Sequence, residues 1–233
     1  MKIDAVLWDY DGTIVNSVPK NIDITKQILA KVAPHLSEEG LPKYLKSEKD
    51  YHIANHAARN WQDLYLNYYG LNENETVIAG KLWTEFQLKN TTPVKLFPGI
   101  FDTINKLTCP QAICSQNSAL NIKQVLKENN LLHKFNVIIG YDDIPENEQK
   151  PSAAGGILCL NRIFKEIHSK TIMFIGDHVG DVQFARNMES ELLNTNKIIS
   201  VAANYSGANI SSWKHQPDYI VNTPVELLSI IYS

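Results

Sequence analysis

Short apolar runs recur along the chain, and most of them lack an alternation of apolar and polar residues. Such runs are typical of strands in a parallel sheet that helices cover on both faces. They predict strands at residues 5–10, 111–115, 135–140, 171–177, 197–202 and 218–221. Helical patterns lie between or after them, at residues 100–107, 120–129, 152–165, 179–188 and 225–232. This alternation predicts an α/β fold with a Rossmann-like, doubly wound parallel sheet.

The alternation fails between residues 16 and 92, where helical patterns follow one another and no strand is predicted. One apolar helix face carries Ile22, Ile28, Leu29 and Val32, a second carries Trp61, Leu64, Tyr65 and Tyr68, and a third helix spans residues 75–89. These spacings are helical. The sequence therefore predicts a catalytic core of residues 1–15 and 93–233 and an inserted all-helical domain of residues 16–92.

Composition and charge narrow the functional classes. The chain has 233 residues, of which 44% are hydrophobic and 20% charged, as in globular proteins. Its net charge of -3 lacks the positive field that nucleic-acid binding requires, so no nucleic acid is expected as a partner. No run reaches the roughly 18 apolar residues of a membrane span. We therefore expect a cytoplasmic protein with no membrane partner, and the sequence indicates no particular oligomeric state.

Polar residues follow four of the predicted strands. Ligands of an open parallel sheet bind at the carboxyl ends of its strands, so these residues are expected to meet at one edge. In chain order they are Asp9 and Asp11, Ser115, Lys150 in a later loop, and Asp177 with Asp181.

Carboxylates that are brought together repel one another unless a cation lies among them. Mg2+ prefers oxygen ligands, and we expect Asp9 and Asp177 to bind it directly. Once the metal and Lys150 neutralise the cluster, a dianionic phosphoryl group can approach a carboxylate. The residue set therefore predicts phosphoryl chemistry with Mg2+ as the cofactor.

Two carboxylates at one strand end suit a reaction through an aspartyl-phosphate. One carboxylate attacks phosphorus and the other carries a proton to the leaving group and from water. Asp9 and Asp11 are two residues apart, which predicts side chains on the same side of an extended backbone, and Gly12 permits a sharp turn beyond them. We assign the proton transfer to Asp11.

A phosphate group also needs hydrogen-bond donors. Ser115 offers a hydroxyl, and the turn at Gln116 and Asn117 and the helix start after it offer backbone amides. The predicted phosphate-binding set is Gly12, Thr13, Ser115, Gln116, Asn117 and Lys150. Asp181 is expected in the second shell, where it holds a metal-bound water or orients Lys150.

Four motifs carry a family resemblance: WDYDGTIVNS at 8–17, AICSQNS at 112–118, Lys150-Pro151, and GDHVGDV at 176–182. With them the chain resembles haloacid dehalogenase superfamily phosphatases that have a helical cap after the first strand, the phosphoglycolate-phosphatase-like and β-phosphoglucomutase-like members. The resemblance implies that Asp9 is nucleophile and metal ligand, and that Asp11 is general acid/base and a metal ligand through its backbone carbonyl. It also implies metal binding by Asp177 and phosphate binding by Ser115 and Lys150. The chain departs from the family at Asn16, where members often carry Asp, and in its Gln116-Asn117 turn.

The sequence thus predicts a Mg2+-dependent phosphatase of a small phosphorylated metabolite, with a mobile helical cap. A phosphomutase of sugar phosphates and a catalytically idle binding or regulatory relative remain alternatives.

In the inserted domain, His52 and His56 are predicted to be ordinary surface or packing residues. The alternative is that Arg59, Lys49 or one of these histidines selects the substrate.

Overall fold

The structure is a computed structural model that describes residues 2–193, 195–207 and 210–232. Its strands are β1 (Ala5–Trp8), β2 (Val15–Asn16), β3 (Lys95–Leu96), β4 (Gln111–Cys114), β5 (Val137–Ile139), β6 (Thr171–Gly176), β7 (Lys197–Ala203) and β8 (Tyr219–Val221). Its helices are α1 (Val18–Val32), α2 (Glu48–Ala57), α3 (Trp61–Asp63), α4 (Glu73–Lys89), α5 (Ile100–Lys106), α6 (Ala119–Glu128), α7 (Ala154–Ile163), α8 (Val179–Glu191) and α9 (Glu226–Ile231).

Six of the described strands form a parallel sheet in the order β5-β4-β1-β6-β7-β8. All four residues of β1 are fully buried, as expected of a central strand whose two faces are both covered. This sheet and its flanking helices confirm the predicted α/β, Rossmann-like fold.

The strand order places a topological switch point at β1. From β1 the chain first adds β4 and β5 on one side, and it later adds β6, β7 and β8 on the other. Trp8, the last residue of β1, is level with Ile113 of β4 and Ile175 of β6. The residues that follow these three strands therefore emerge side by side, at the place where open α/β sheets bind ligands.

A short antiparallel ribbon was not predicted from the sequence. β2 pairs with β3 through Val15 opposite Leu96 and Asn16 opposite Lys95. A strand of two residues has no periodicity for a sequence pattern to display. The chain divides into two compact units: the first is Met1–Asn16 together with Lys95–Ser233, and the second is Ser17–Val94. The ribbon lies in the first unit, where the chain leaves that unit and returns to it.

The second unit consists of helices and their connections and contains no strand within residues 17–94, a range that the structure describes in full. Ile28 and Leu29 of α1 are fully buried in its core, as their spacing predicts. On the predicted apolar face of Trp61, Leu64, Tyr65 and Tyr68, Tyr65 is buried, whereas Trp61 is 43% exposed and its indole packs against Gly80. That this unit acts as a cap remains a prediction.

Among the described residues, none of the helices combines the length and the apolar character that crossing a membrane demands.

Candidate active site

Asp9 follows β1 directly and is anchored by its backbone, whose amide donates to the carbonyl of Ile175 at 2.8 Å. Its side chain is only 9% exposed. The Lys150 ammonium lies between two carboxylates, 2.5 Å from Asp9 Oδ1 and 2.7 Å from Asp181 Oδ1. Lysine side chains are mostly exposed, but that of Lys150 is only 7% exposed and pairs with two carboxylates. Lys150 is therefore part of the site and is not a surface lysine.

The pKa values of the site indicate negative charge that Lys150 does not fully compensate. Burial raises the pKa of Asp9 to about 7, with Asp181 and Asp11 adding to the effect and Lys150 opposing it. Burial, Asp9 and Asp181 likewise raise the pKa of Asp177 well above its usual value. Burial disfavours the charge of Lys150, but Asp181 and Asp9 together raise its pKa above the usual value. The site therefore favours a further cation.

Three carboxylates are arranged closely enough to share that cation. Asp9, Asp177 and Asp181 each offer an oxygen, and these oxygens all lie within 4.8 Å of one another. Three carboxylates, of which Asp9 and Asp181 are buried and Asp177 is half-buried, are a donor set that fits Mg2+. The side chain of Asp11 is not in this group, and its predicted metal contact was through the backbone carbonyl. Asp181 holds Lys150, one of its two predicted roles.

Gly12 brings the first motif against the fourth. Its φ is +73°, in the left-handed region, and a Cβ at this position would lie 2.0 Å from Oδ2 of Asp177. Only glycine allows the two to approach this closely. The predicted sharp turn thus also sets the place of a metal-ligand candidate.

The turn after Asp9 is closed by backbone hydrogen bonds. The Tyr10 carbonyl accepts from the amides of Ile14 at 2.9 Å and Val15 at 3.2 Å. This turn carries Asp11, whose Oδ2 accepts a 2.8 Å hydrogen bond from the side-chain amide of Asn117. Asp9 and Asp11 therefore meet different partners, an ammonium and a neutral amide.

The loop after β4 presents Ser115, which is buried. Its backbone amide donates to the Ile139 carbonyl at 3.0 Å, and its hydroxyl oxygen accepts from the Asn117 amide at 3.2 Å. A hydroxyl that accepts from an amide keeps its own hydrogen for another acceptor. The hydroxyl hydrogen of Ser115 is therefore available to a further acceptor, and its predicted contact with phosphate remains a prediction.

Other predicted phosphate donors are engaged within the protein. The amide of Ala119 at the start of α6 donates to Asp142 Oδ1 at 2.9 Å, and that of Ser118 donates to Asn117 Oδ1 at 2.8 Å. The side chain of Gln116 donates to the Lys150 carbonyl at 3.2 Å. Within the described residues, the backbone amide of Gln116 has no hydrogen-bond partner, so it is the remaining amide donor of this loop.

Sequence reasoning missed Tyr205, which follows β7 in the short helical turn Asn204–Ser206. Its hydroxyl donates to the Thr13 carbonyl at 2.8 Å. The signal was present, because β7 was predicted and a tyrosine beyond the end of a strand belongs to the same sheet edge as Asp9.

The polar residues of the helical unit have partners on their own surface. The rings of His52 and His56 stack at 5.8 Å, and burial lowers the pKa of His52. Arg59 Nη2 lies 3.0 Å from Asp63 Oδ1. The contact with a substrate considered for these residues remains a prediction.

Comparison with known proteins gives concordant matches. A family described as haloacid dehalogenase-like hydrolase matches residues 6–195. Phosphoglycolate phosphatase 1 of Pseudomonas aeruginosa is 28% identical over 78% of this chain and 65% of its own length, so the chain spans just under two thirds of that relative. Phosphoglycolate phosphatase of Synechococcus elongatus is 24% identical over 98% and 97% of the two chains. A haloacid dehalogenase-like family hydrolase from Streptococcus pneumoniae shares the fold, with a TM-score of 0.74, 22% identity and 98% coverage of both chains.

Proposed function

Since the chain belongs to the haloacid dehalogenase-like hydrolase family, we propose that it hydrolyses a small phosphomonoester with Mg2+, through an aspartyl-phosphate on Asp9. The family match and the phosphatases among its relatives support the phosphatase class predicted from the sequence. The metal, the covalent intermediate and the roles of individual residues are the proposal. The observation that carries it is the cluster of Asp9, Lys150, Asp177 and Asp181 at the switch point of the sheet, in which Asp177 is half-buried and the other three side chains are buried.

Mg2+ would be held by the side chains of Asp9 and Asp177, with the backbone carbonyl of Asp11 as a further ligand. When bound, it supplies positive charge that stabilises the phosphoryl oxygens during transfer. The raised pKa values of Asp9 and Asp177 support this assignment, because a cation relieves the repulsion that causes part of the increase.

In the first step a carboxylate oxygen of Asp9 attacks phosphorus, and the bond from phosphorus to the ester oxygen breaks. Asp11 donates a proton to the leaving alkoxide. In the second step Asp11 takes a proton from water as the water oxygen attacks the same phosphorus, and Asp9 leaves as a carboxylate. The hydrogen bond from Asn117 orients Asp11 for both transfers.

The transferring phosphoryl group would be bound by the ammonium of Lys150, the hydroxyl of Ser115 and the backbone amide of Gln116. Gly12 and Thr13 stay in the predicted phosphate-binding set as the turn that borders this group. Asn117 acts in this scheme through Asp11, because its side-chain amide already donates there. Asp181 holds Lys150 in place for the substrate.

Two relatives are named phosphoglycolate phosphatases, so 2-phosphoglycolate is the first substrate to test. We propose that the helical unit of residues 17–94 acts as a cap that excludes bulk water during transfer. A panel of phosphorylated metabolites, compared by kcat/KM, assigns the substrate. Interconversion of sugar phosphates without release of phosphate would indicate a phosphomutase instead.

The decisive variant is Asp9→Asn, which retains the shape of the side chain and removes the nucleophile. We expect phosphate release to fall at least about a thousandfold, because the neutral amide of asparagine is a much poorer nucleophile than a carboxylate. Acid-quenched protein should carry hydroxylamine-sensitive phosphate in the wild type and none in Asp9→Asn.

Asp102→Asn is the matched control, because Asp102 is exposed on α5 in the same unit. It should retain full activity.

EDTA should abolish the activity of the wild type and added Mg2+ should restore it. Turnover by Asp9→Asn near the wild-type rate, in a preparation free of contaminating phosphatases, would contradict the nucleophile assignment.

A further inference from the structure

Tyr205 joins two chain segments that are distant in sequence. Its hydroxyl donates to the carbonyl of Thr13 at 2.8 Å. Its ring meets that of Phe97 edge to face, with 5.1 Å between the centroids and 63° between the planes. Thr13 lies in the turn that carries Asp11, and Phe97 follows β3 directly.

The two segments that Tyr205 contacts also bind each other. The amide of Phe97 donates to the carbonyl of Ile14 at 3.1 Å, next to the Thr13 carbonyl that accepts from Tyr205. Three contacts therefore form a closed triangle: Tyr205 with Thr13, Ile14 with Phe97, and Phe97 with Tyr205. A closed triangle constrains all three members more than a single hydrogen bond does.

Thr13 depends on this contact for its position. Its side chain is fully buried, and its hydroxyl has no hydrogen-bond partner within the described residues. Its own amide makes only a long 3.4 Å contact with the Tyr10 carbonyl. The bond to Tyr205 is thus the strongest polar contact of Thr13, and it orients the peptide group that joins Thr13 to Ile14.

The triangle stands at the base of the β2–β3 ribbon, through which the chain passes between its two units. Both ribbon strands are attached to the turn directly: the Val15 carbonyl accepts from the Gly12 amide at 2.9 Å, and the Phe97 amide donates to the Ile14 carbonyl at 3.1 Å. The hydroxyl of Tyr205 adds a third attachment, at Thr13.

We propose that Tyr205 is a positioning residue for phosphoryl transfer: by holding the Thr13 carbonyl and the Phe97 ring, it fixes the turn that sets Asp11 relative to Asp9. This inference rests on the proposed function, since it assigns Tyr205 to the geometry of that reaction. Tyr205 acts through the turn and not on the substrate, because its hydroxyl hydrogen is already committed to Thr13.

The test is Tyr205→Phe, which keeps the ring contact and removes the hydroxyl. Tyr232→Phe is the matched control, because the Tyr232 hydroxyl also donates to a backbone carbonyl, that of Lys106 at 2.9 Å, and takes no part in the site. With 2-phosphoglycolate and p-nitrophenyl phosphate, we expect kcat of Tyr205→Phe to fall roughly three- to tenfold, as the loss of one hydrogen bond would cause. Its KM should stay within about twofold of the wild-type KM. Tyr232→Phe should change neither constant.

Amide hydrogen exchange supplies a readout that needs no activity. In Tyr205→Phe the amides of Ile14 and Val15, which donate to the Tyr10 carbonyl, should exchange faster than in the wild type, and in Tyr232→Phe they should not. If Tyr205→Phe does not fold, Phe97→Leu takes its place in the test. This variant removes the contact between the two rings, keeps the Tyr205 hydroxyl, and should raise the same exchange rates. The proposal is overturned if the folded variants show the same exchange rates at Ile14 and Val15 as the wild type. It is also overturned if the wild type is active and Tyr205→Phe has an unchanged kcat, or a raised KM with an unchanged kcat. If the wild type releases no phosphate from any substrate, the proposed function fails, while the exchange rates still decide whether Tyr205 holds the turn.

Discussion

Asp9 and Asp11 show how neighbouring carboxylates acquire different chemistry. Asp9 is buried against the ammonium of Lys150, whereas Asp11 is less buried and accepts from the neutral amide of Asn117. Burial raises the pKa of Asp9 to about 7 against the opposing effect of Lys150, so Asp9 needs a further cation to react as an anion, whereas the neutral amide of Asn117 orients Asp11 without neutralising it. The environments of the two residues therefore support the division into nucleophile and proton carrier.

Replacing the single residue Gly12 should affect both the binding of Mg2+ and the stability of the protein. In Gly12→Ala the new methyl group would overlap Asp177, 2.0 Å from its Oδ2, so we expect the carboxylate to be displaced. Affinity for Mg2+ should fall at least about tenfold, and the left-handed backbone should cost about 1–2 kcal/mol of unfolding free energy. Titration calorimetry and urea unfolding measure the two effects.

Gly70→Ala separates backbone strain from displacement of the carboxylate. Gly70 has a similar φ of +84°, but a Cβ there would meet only Leu36 at an ordinary 3.9 Å. This control should lose a similar amount of stability and no affinity for Mg2+. Equal metal affinities in the two variants would show that Gly12 does not position Asp177.

At the scale of elements, the loop between β5 and α7 delivers Lys150 to the site. Its backbone is held from both sides, because Gln116 donates to the Lys150 carbonyl at 3.2 Å and Asn187 donates to the Pro151 carbonyl at 2.7 Å. These donors belong to the loop after β4 and to α8. The position of Lys150 thus depends on elements that also carry the site's Ser115 and Asp181.

Lys150→Met should destabilise the metal-free protein at pH 7.5. The substitution keeps the length of the side chain but leaves Asp9 and Asp181 without their shared cation, and breaking a buried pair in this way costs about 3 kcal/mol. Lys89→Met is the control, because Lys89 and Glu85 form a pair whose side chains are 75% and 50% exposed. That change should cost less than about 1 kcal/mol. Comparable losses in urea unfolding would contradict the buried role of Lys150.

At the scale of the whole molecule, the site couples folding to protons and metal. Burial raises the pKa of Asp9 from 3.8 to about 7, so between these values the folded protein holds a proton that the unfolded chain releases. The contribution of a raised pKa is fully present below the unfolded value and is lost as the pH rises through the folded value. Asp9 by itself should therefore lower the stability of the metal-free protein as the pH rises from about 4 to about 7, by about 1.4 kcal/mol of unfolding free energy per pH unit, and the raised pKa of Asp177 adds a loss of the same sign.

Mg2+ should reverse this loss, because it binds the deprotonated carboxylates. The increase in melting temperature caused by Mg2+ should be larger at pH 8 than at pH 5. Thermal unfolding in EDTA and in Mg2+ across this range measures it, and Asp9→Asn should show a weaker pH dependence. A Mg2+ effect that is as large at pH 5 as at pH 8 would contradict the linkage.

Local sequence patterns predicted the alternation of strands and helices, a helical segment after the first strand and polar residues at the strand ends. These features follow from local patterns, because apolar runs report burial and motifs such as Asp9-Tyr10-Asp11-Gly12 report a strand end with its turn. Three contacts became apparent only in the folded chain: Lys150 bridges Asp9 and Asp181, Asn117 donates to Asp11, and Tyr205 donates to Thr13. Each of these contacts joins residues at least 31 positions apart, and their distances depend on how the sheet aligns its strand ends, which no local pattern encodes.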